Sequence, residues 1–364
     1  MRLLAVLTFI ITSYVSHAIE FNDAVFPELA TSARALAMGN AYLNKANDGS
    51  AAWYNPAGLG SVRGTRFHIS NFHFESNKGW LNTATSGSAF DLLGNLTKGL
   101  SLDGTRELLV ERPGELAHTR FHVMPNLTTR YFTIGYLYSK RSRATLGTQD
   151  GALYEYADRR DHGPYVGLNL SLWGGVFKLG ASAIYLQRRE AIGEIDPNTS
   201  LELNDEDYAK GSAVIVTTGV RFTLPVAALP TFSATFRNSA QQSFSNVRGT
   251  GAPTEVKNSI DIGFSLTPQI GNSTRLHFEV NYKDLSELYG DVSTSRRIVA
   301  GMEVDVSRLF FFRVGYGDGF GSGGIGIKTK KVVMDLTTYA VDTTTSEFRG
   351  EEDRRFALGI STGF

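Results

Sequence analysis

The chain has 364 residues, with 36 Lys and Arg balanced by 36 Asp and Glu, 38 Gly, 11% aromatic residues and no Cys. Zero formal net charge argues against a nucleic-acid partner, which favours a basic surface, and the lack of Cys excludes a disulfide framework or a lipoprotein anchor. After the first eighteen residues no run reaches the roughly 20 apolar residues of a membrane helix, so an exported chain of this kind is either a periplasmic globule or a closed barrel.

Arg2 precedes an apolar run, Leu3 to Ile11, that trails through Tyr14 and Val15 to Ser16-His17-Ala18. A positive start, a short apolar stretch and a small-x-small end predict a secretory signal peptide over 1–18, cleaved before Ile19. Residues 19–63 do not read as strand. Ser32 to Met38 is a helix-forming patch with Thr31 or Ser32 as N-cap. A polar turn follows at Asn47-Asp48-Gly49, then Ser50 to Leu59, where Pro56 forces Asn55 out of helical geometry. Ala33, Ala35, Leu36, Ala37, Met38 and Ala41 make this stretch richer in small and apolar residues than a solvated tail needs. It is built to pack inside something.

From residue 64 onward the pattern has a period of two. Strands are predicted near 64–75, 118–126, 128–141, 163–173, 176–189, 211–224, 231–241, 260–266, 275–282, 298–306, 310–316, 321–329, 332–338 and 354–364. In 64–75 the apolar side switches between Ile69 and Phe72, and 321–329 is mostly glycine. Elsewhere one side is apolar and the other charged or small, as expected of lipid outside and water inside. Tight connections are expected at 125–127, 173–175, 225–230, 268–272, 307–308 and 330–331. Long polar ones alternate with them at 76–117, 142–162, 190–210, 242–254, 284–293 and 342–353, with 317–320 the exception. A soluble β fold has no cause to sort loop lengths by side. The prediction is an all-β, antiparallel transmembrane barrel of about fourteen strands over 64–364, whose last strand ends on Phe364 and resembles the C-terminal signal of outer-membrane barrels.

The first long loop, 76–117, is predicted to be partly helical. Phe90, Leu92, Leu93, Leu96 and Leu100 recur at helical spacing within 88–102, and a second helical turn takes in Leu108, Leu109 and Leu116. This patch is either a landing groove for a hydrophobic ligand or a helix that caps the barrel mouth. Inward charges are expected at Arg221, Asp261, Arg275, Glu279, Glu303, Asp305 and Arg313, pairing across the lumen. The histidines of the mature chain lack a recognisable catalytic setting, and Arg120 between His118 and His122 argues against a metal there. Acidic loops at 190–210 and 342–353 could hold Ca²⁺, but solvation is the plainer role. No enzyme activity, metal or cofactor is expected.

Ser32 to Tyr42, then Asp48 to Ser50, then Asn55-Pro56-Ala57-Gly58-Leu59 resemble the start of FadL-type outer-membrane proteins, which include long-chain fatty acid and aromatic-hydrocarbon transporters and PorV-like relatives. The resemblance implies a fourteen-stranded barrel with residues 19–63 folded into its lumen as a hatch containing Asn55, Pro56, Ala57 and Gly58. It implies a bacterial outer-membrane channel for hydrophobic compounds such as long-chain fatty acids, in contact with outer-membrane lipid. The hatch would shift around Asn55-Pro56-Ala57, with Gly39, Gly49 and Gly58 permitting the rearrangement. The PorV-like alternative is a barrel that binds or carries a protein partner in the envelope.

Overall fold

A computed structural model of the chain describes residues 25–26, 28–84, 95, 98–239, 243–288, 292–343 and 352–363. The predicted signal peptide, Phe90, Leu92, Leu93, Leu96 and Phe364 lie outside the described residues.

The alternation closes into a barrel. In chain order its strands are β1 (Arg66–Asn77), β2 (Leu116–Val123), β3 (Asn126–Thr128), β4 (Phe132–Leu146), β5 (Tyr154–Leu172), β6 (Phe177–Ile195), β7 (Ala209–Thr223), β8 (Thr231–Arg237) and β9 (Ser245–Arg248). They continue with β10 (Ser259–Leu266), β11 (Gln269–Ile270), β12 (Thr274–Tyr282), β13 (Ile298–Val306), β14 (Phe310–Gly317), β15 (Phe320–Lys328), β16 (Val332–Asp342) and β17 (Glu352–Gly363). Each pairs antiparallel with its neighbour, and β17 pairs with β1 to shut the ring. β2 and β3 form one stave interrupted at Met124-Pro125, because Pro125 has no N–H to give the ladder. β9 and β11 are short side pieces on β7 and β12. The staves therefore number fourteen.

Which side faces lipid follows from exposure. On β14, Phe312 and Val314 are 52% and 53% exposed while Arg313 between them is 4%. On β12 and β13, Phe278, Val280 and Ile298 point outward and Glu279 and Glu303 are buried. An apolar exterior around a closed ladder is the geometry of a membrane-spanning barrel. The side switch in the first predicted strand has a cause: the β1–β17 register slips between His68 and Ser70. This bulge adds one residue on β1, so Phe67 and Ile69 face outward before it and Phe72 and Phe74 after it, while His73 and Glu75 turn in.

Several boundaries differ from the sequence expectation. The turn expected at 125–127 falls at 129–131, since Asn126 to Thr128 still pairs with β1 and β4. The long loop expected at 142–162 shrinks to 147–153 because β4 and β5 run on together from Phe132↔Leu168 to Leu146↔Tyr154. Within the expected 242–254 loop, Ser245 to Arg248 returns as strand against β7. The first long loop opens on an unforeseen helix, Lys78–Ala84, and a second helix spans Leu102–Val110. Residues 62–65 enter β1 from the short-turn side, where Gly363 also lies.

Candidate functional site

The lumen is occupied by residues 28–62. They form a one-turn helix, Ala33–Ala37, a second, Ala51–Tyr54, and a 3-10 stretch, Pro56–Ser61. At the third of these the Asn55 backbone is extended (φ −161°, ψ 105°) and its side chain accepts from the Ala57 N–H at 3.0 Å. An N-cap Asn followed by Pro at the first helical position is a local start signal, which is why these residue types stand together.

Both walls grip this segment by its backbone. Thr337 Oγ1 donates to the Ala33 carbonyl at 2.8 Å and Ser322 Oγ to that of Ala37 at 3.1 Å. On the other wall, Ser182 Oγ donates to the Ala52 carbonyl at 2.6 Å, Asn169 Nδ2 to Ala57 at 3.2 Å, and Arg221 to Leu43 at 2.7 Å and Ala46 at 3.1 Å. Glycines let the backbones come this close. A Cβ on Gly180 would fall on the Pro56–Ala57 peptide, and one on Gly315 on the Met38–Gly39 peptide. Among the three lumenal glycines expected to permit rearrangement, only Gly39 has a positive φ, 62°; Gly49 and Gly58 are instead closely packed, against Asn126 and against Ala46 and Arg221.

Of the charges expected to pair across the lumen, Arg221, Asp261, Glu279, Glu303, Asp305 and Arg313 are buried and Arg275 is half-buried, and their partners lie mostly on the segment or on a neighbouring stave. Glu303 accepts from Arg34 Nε at 2.8 Å and Nη2 at 3.0 Å, from Arg313 Nε at 2.7 Å, and pairs with Lys45 at 3.0 Å. Glu279 accepts from the Asn44 N–H at 2.8 Å and bonds His277 at 2.9 Å. Asp261 pairs with Arg237 at 2.9 Å and Lys283 at 3.4 Å, Arg313 also reaches Asp335 at 2.6 Å, and Asp305 accepts from the Arg308 N–H at 2.8 Å. Arg275 stands opposite Asp305 in the β12–β13 register. Arg221 holds carbonyls rather than a carboxylate.

The lumen has two unlike sides. Facing β10 to β14 it is charged; facing β4 to β7 it carries an apolar band, with Leu137, Tyr165, Ile184, Leu186, Ala213 and Ile215 buried against Leu29, Trp53, Tyr54 and Leu59 of the segment, flanked toward the long loops by the buried pairs Arg159–Glu190 and Arg188–Asp161. The cavity left between Trp53, Tyr165, Ile184 and Ile215 is about 30 Å³, room for little more than a water. These inward residues were not expected from the sequence. The signal lay in Ile184-Tyr185-Leu186 and Val214-Ile215-Val216, where alternation lapses because both faces are apolar.

Sequence reasoning also missed a buried polar group formed by pairing β1 with β2. His73 and His122 stand opposite each other with rings stacked at 4.5 Å; His118 bonds Glu75 at 2.9 Å, and His122 bonds the Thr31 carbonyl at 2.9 Å. Among the described residues no group of three or more His, Asp and Glu is placed to hold a metal ion. At the long-loop end, Trp80, Ala84 and Leu109 pack on Ala117, Ala144, Leu146 and Tyr154 of the wall and on Leu201. Leu109 is buried in this way, Leu108 is also buried, Leu116 opens β2, and Leu100 is exposed. The Arg106 hydrogen bond to Asp103 holds that carboxyl below its usual range and fixes the start of the helix Leu102–Val110.

A closed, lipid-facing barrel of fourteen staves with its N-terminal segment packed across the lumen defines the class of this protein. The same fold is found in the CymD monoaromatic hydrocarbon channel, at TM-score 0.53 and 8% identity over 93% of this chain and 99% of that one. It is also found in the Ralstonia pickettii toluene transporter TbuX, at TM-score 0.52 and 11% identity over 92% and 99% of the two chains. CdiB from Acinetobacter baumannii overlaps at TM-score 0.36 and 11% identity over 83% of this chain, which spans 60% of its length. No protein-family model matches the sequence, and no curated protein matches it significantly. At such identities the likeness to the two hydrocarbon channels is one of fold.

Proposed function

We propose that this protein is a bacterial outer-membrane channel for hydrophobic compounds, with residues 28–62 as the hatch that gates it. The observation that carries the reading is the apolar side of the lumen. A water-filled pore lines its interior with polar groups, whereas Leu137, Tyr165, Ile184, Leu186 and Ile215 form an apolar band across four adjacent staves, between the buried charges of Arg159, Asp161, Arg188 and Glu190 on the long-loop side and Arg221 on the other. A hydrophobic solute crosses such a surface without surrendering its favourable burial. The two proteins of like fold are a monoaromatic hydrocarbon channel and a toluene transporter; long-chain fatty acids fit the same apolar band through their tails.

Because the apolar side is packed shut, passage requires the segment to move. Its link to β1 runs through Gly64, which has φ 75° and open space around its α-carbon. A swing about Gly64, with release of the wall's grip on Ala33 and Ala57, would open the apolar side. Leu108 and Leu109 serve the capping role in this reading, and the exposed Leu100 remains a candidate for first contact with ligand, together with Phe90, Leu92, Leu93 and Leu96.

The chain has no native Cys, so a tether tests the gate cleanly. A Cβ on Gly359 would lie 3.1 Å from that of Ala33, close to the ~3.8 Å Cβ separation of a disulfide. The double variant Ala33→Cys, Gly359→Cys is expected to lose uptake of a fluorescent long-chain fatty acid when oxidised and to regain it with dithiothreitol. Equal uptake by the confirmed disulfide-bonded form would rule out a gate that swings.

A further inference from the structure

At the short-turn mouth, the segment and β1, β12 to β17 enclose a cavity of about 600 Å³ that the hydrophobic route does not use. Its lining is strongly cationic. Arg34, Lys45 and Arg313 are matched there by Glu303, Asp48 and Asp335. Arg63, Arg66, Arg275, Arg308, Lys328 and Lys330 also line it, and none of the six forms an ion pair with a carboxylate among the described residues. The one carboxylate left for them is Asp305, which already accepts from the Arg308 backbone. Arg63, Arg308 and Lys330 are exposed at the opening, and Arg66 is half-buried. Arg275 and Lys328 are half-buried on the inner wall rather than on the rim.

Like charges held together at the mouth of a low-dielectric enclosure concentrate a field of one sign. Guanidinium groups in such a place suit the planar, bidentate recognition of an oxyanion. A water-solvated rim would need neither the enclosure nor the inward placement of Arg275 and Lys328. We propose that this cavity is an oxyanion-binding site, taking the carboxylate or phosphate of a small amphiphile on the periplasmic side of the segment. The same chemistry is offered by the carboxylate of an acyl chain leaving the channel and by the headgroup of an anionic phospholipid from the adjoining leaflet.

The test is a binding measurement on the intact protein in a non-ionic detergent, which does not depend on transport, so its failure would leave the channel reading standing. The probes are dodecanoate, dodecanol, inorganic phosphate and nanodiscs containing phosphatidylglycerol. Dodecanoate binding at least tenfold tighter than dodecanol, weakened by salt and displaced by phosphate, is the expected result for the acyl source. A tenfold preference for phosphatidylglycerol over phosphatidylcholine nanodiscs, without discrimination between the dodecyl probes, assigns the site to the lipid source. Either preference should vanish in Arg275→Gln, Lys328→Gln and return in the charge-keeping pair Arg275→Lys, Lys328→Arg, which also controls for folding. The proposal is overturned if the native protein shows neither preference, or if the Gln pair keeps it.

Discussion

Val at position 180 is expected to unseat the Asn55-Pro56-Ala57 turn while leaving the barrel closed. Gly180 lies on β6, opposite Leu170's neighbour Asn169 in the β5 register and Gly219 in the β7 register. Any side chain there would meet the backbone of Pro56 and Ala57, with no flexible group to step aside. Overpacking of this kind costs about 1–3 kcal/mol, and here the part that can yield is the segment. Asn169 and Ser182 would then lose the Ala57 and Ala52 carbonyls they bond. Gly180→Val should show a larger and noisier single-channel conductance than the native protein in planar bilayers. It should retain the gel-mobility shift between unheated and boiled samples that reports an intact barrel. Leu179→Val, on the lipid face of the same stave, should conduct like the native protein. A Gly180→Val channel as quiet as the native one would mean that the turn is not seated by this wall.

Removing the Glu303 carboxylate should have the larger energetic effect. Glu303 is 1% exposed and collects Arg34, Lys45 and Arg313 around its two oxygens. Glu303→Ala takes from Lys45 its carboxylate and from Arg34 and Arg313 their shared one, and losing one member of a buried ion pair costs about 3–5 kcal/mol. Asp335 and Asp48 stay within reach of Arg313 and Arg34, so the barrel stave itself keeps partners. The loss falls on the segment, which is held at this wall by Arg34 and Lys45. Limited trypsin digestion of the detergent-solubilised protein should therefore cut after Arg34 or Lys45 in Glu303→Ala under conditions that spare the native chain. Asp305→Asn, which disturbs only a turn, should remain protected. Equal protection of Glu303→Ala would show that the carboxylate does not anchor the segment.

Much of this architecture was legible in the residues. Two solvents impose a period of two, so Phe310, Phe312, Val314 and Tyr316 announce their side without knowledge of any partner strand. Even the switch between Ile69 and Phe72 recorded a real feature, since a bulge displaces parity by one residue. Strand ends were less legible. β4 and β5 extend well past the lipid-facing stretch, and there the residues lose alternation while the ladder continues, so 142–162 resembled a loop. The turn after β3 was misplaced because Pro125 breaks the ladder without ending the stave.

The site was harder to see, for a reason common to its parts. Ile184, Leu186 and Ile215 are inward and apolar because they face the segment, a contact between residues more than a hundred positions apart. Gly180 and Gly315 looked like ordinary small wall residues, and their purpose appears only when another backbone lies against them. His73 and His122 join only once the β1–β2 register is fixed. The resemblance at Asn55-Pro56-Ala57 drew attention to the segment, but its seats on the two walls had to come from tertiary structure.

The sharpest measurement compares the native protein with Ile184→Asp in lipopolysaccharide-containing vesicles, following entry of a fluorescent long-chain fatty acid and swelling in isotonic arabinose. A charge at position 184 would stand on the apolar side of the lumen, where burial of an unpaired carboxylate is costly. For a route along that side, the native protein speeds fatty-acid entry over protein-free vesicles, Ile184→Asp with an intact gel-mobility shift does not, and neither swells appreciably. Undiminished fatty-acid entry through a folded Ile184→Asp barrel, or arabinose swelling at the rate of an open water-filled pore in the native protein, would contradict it.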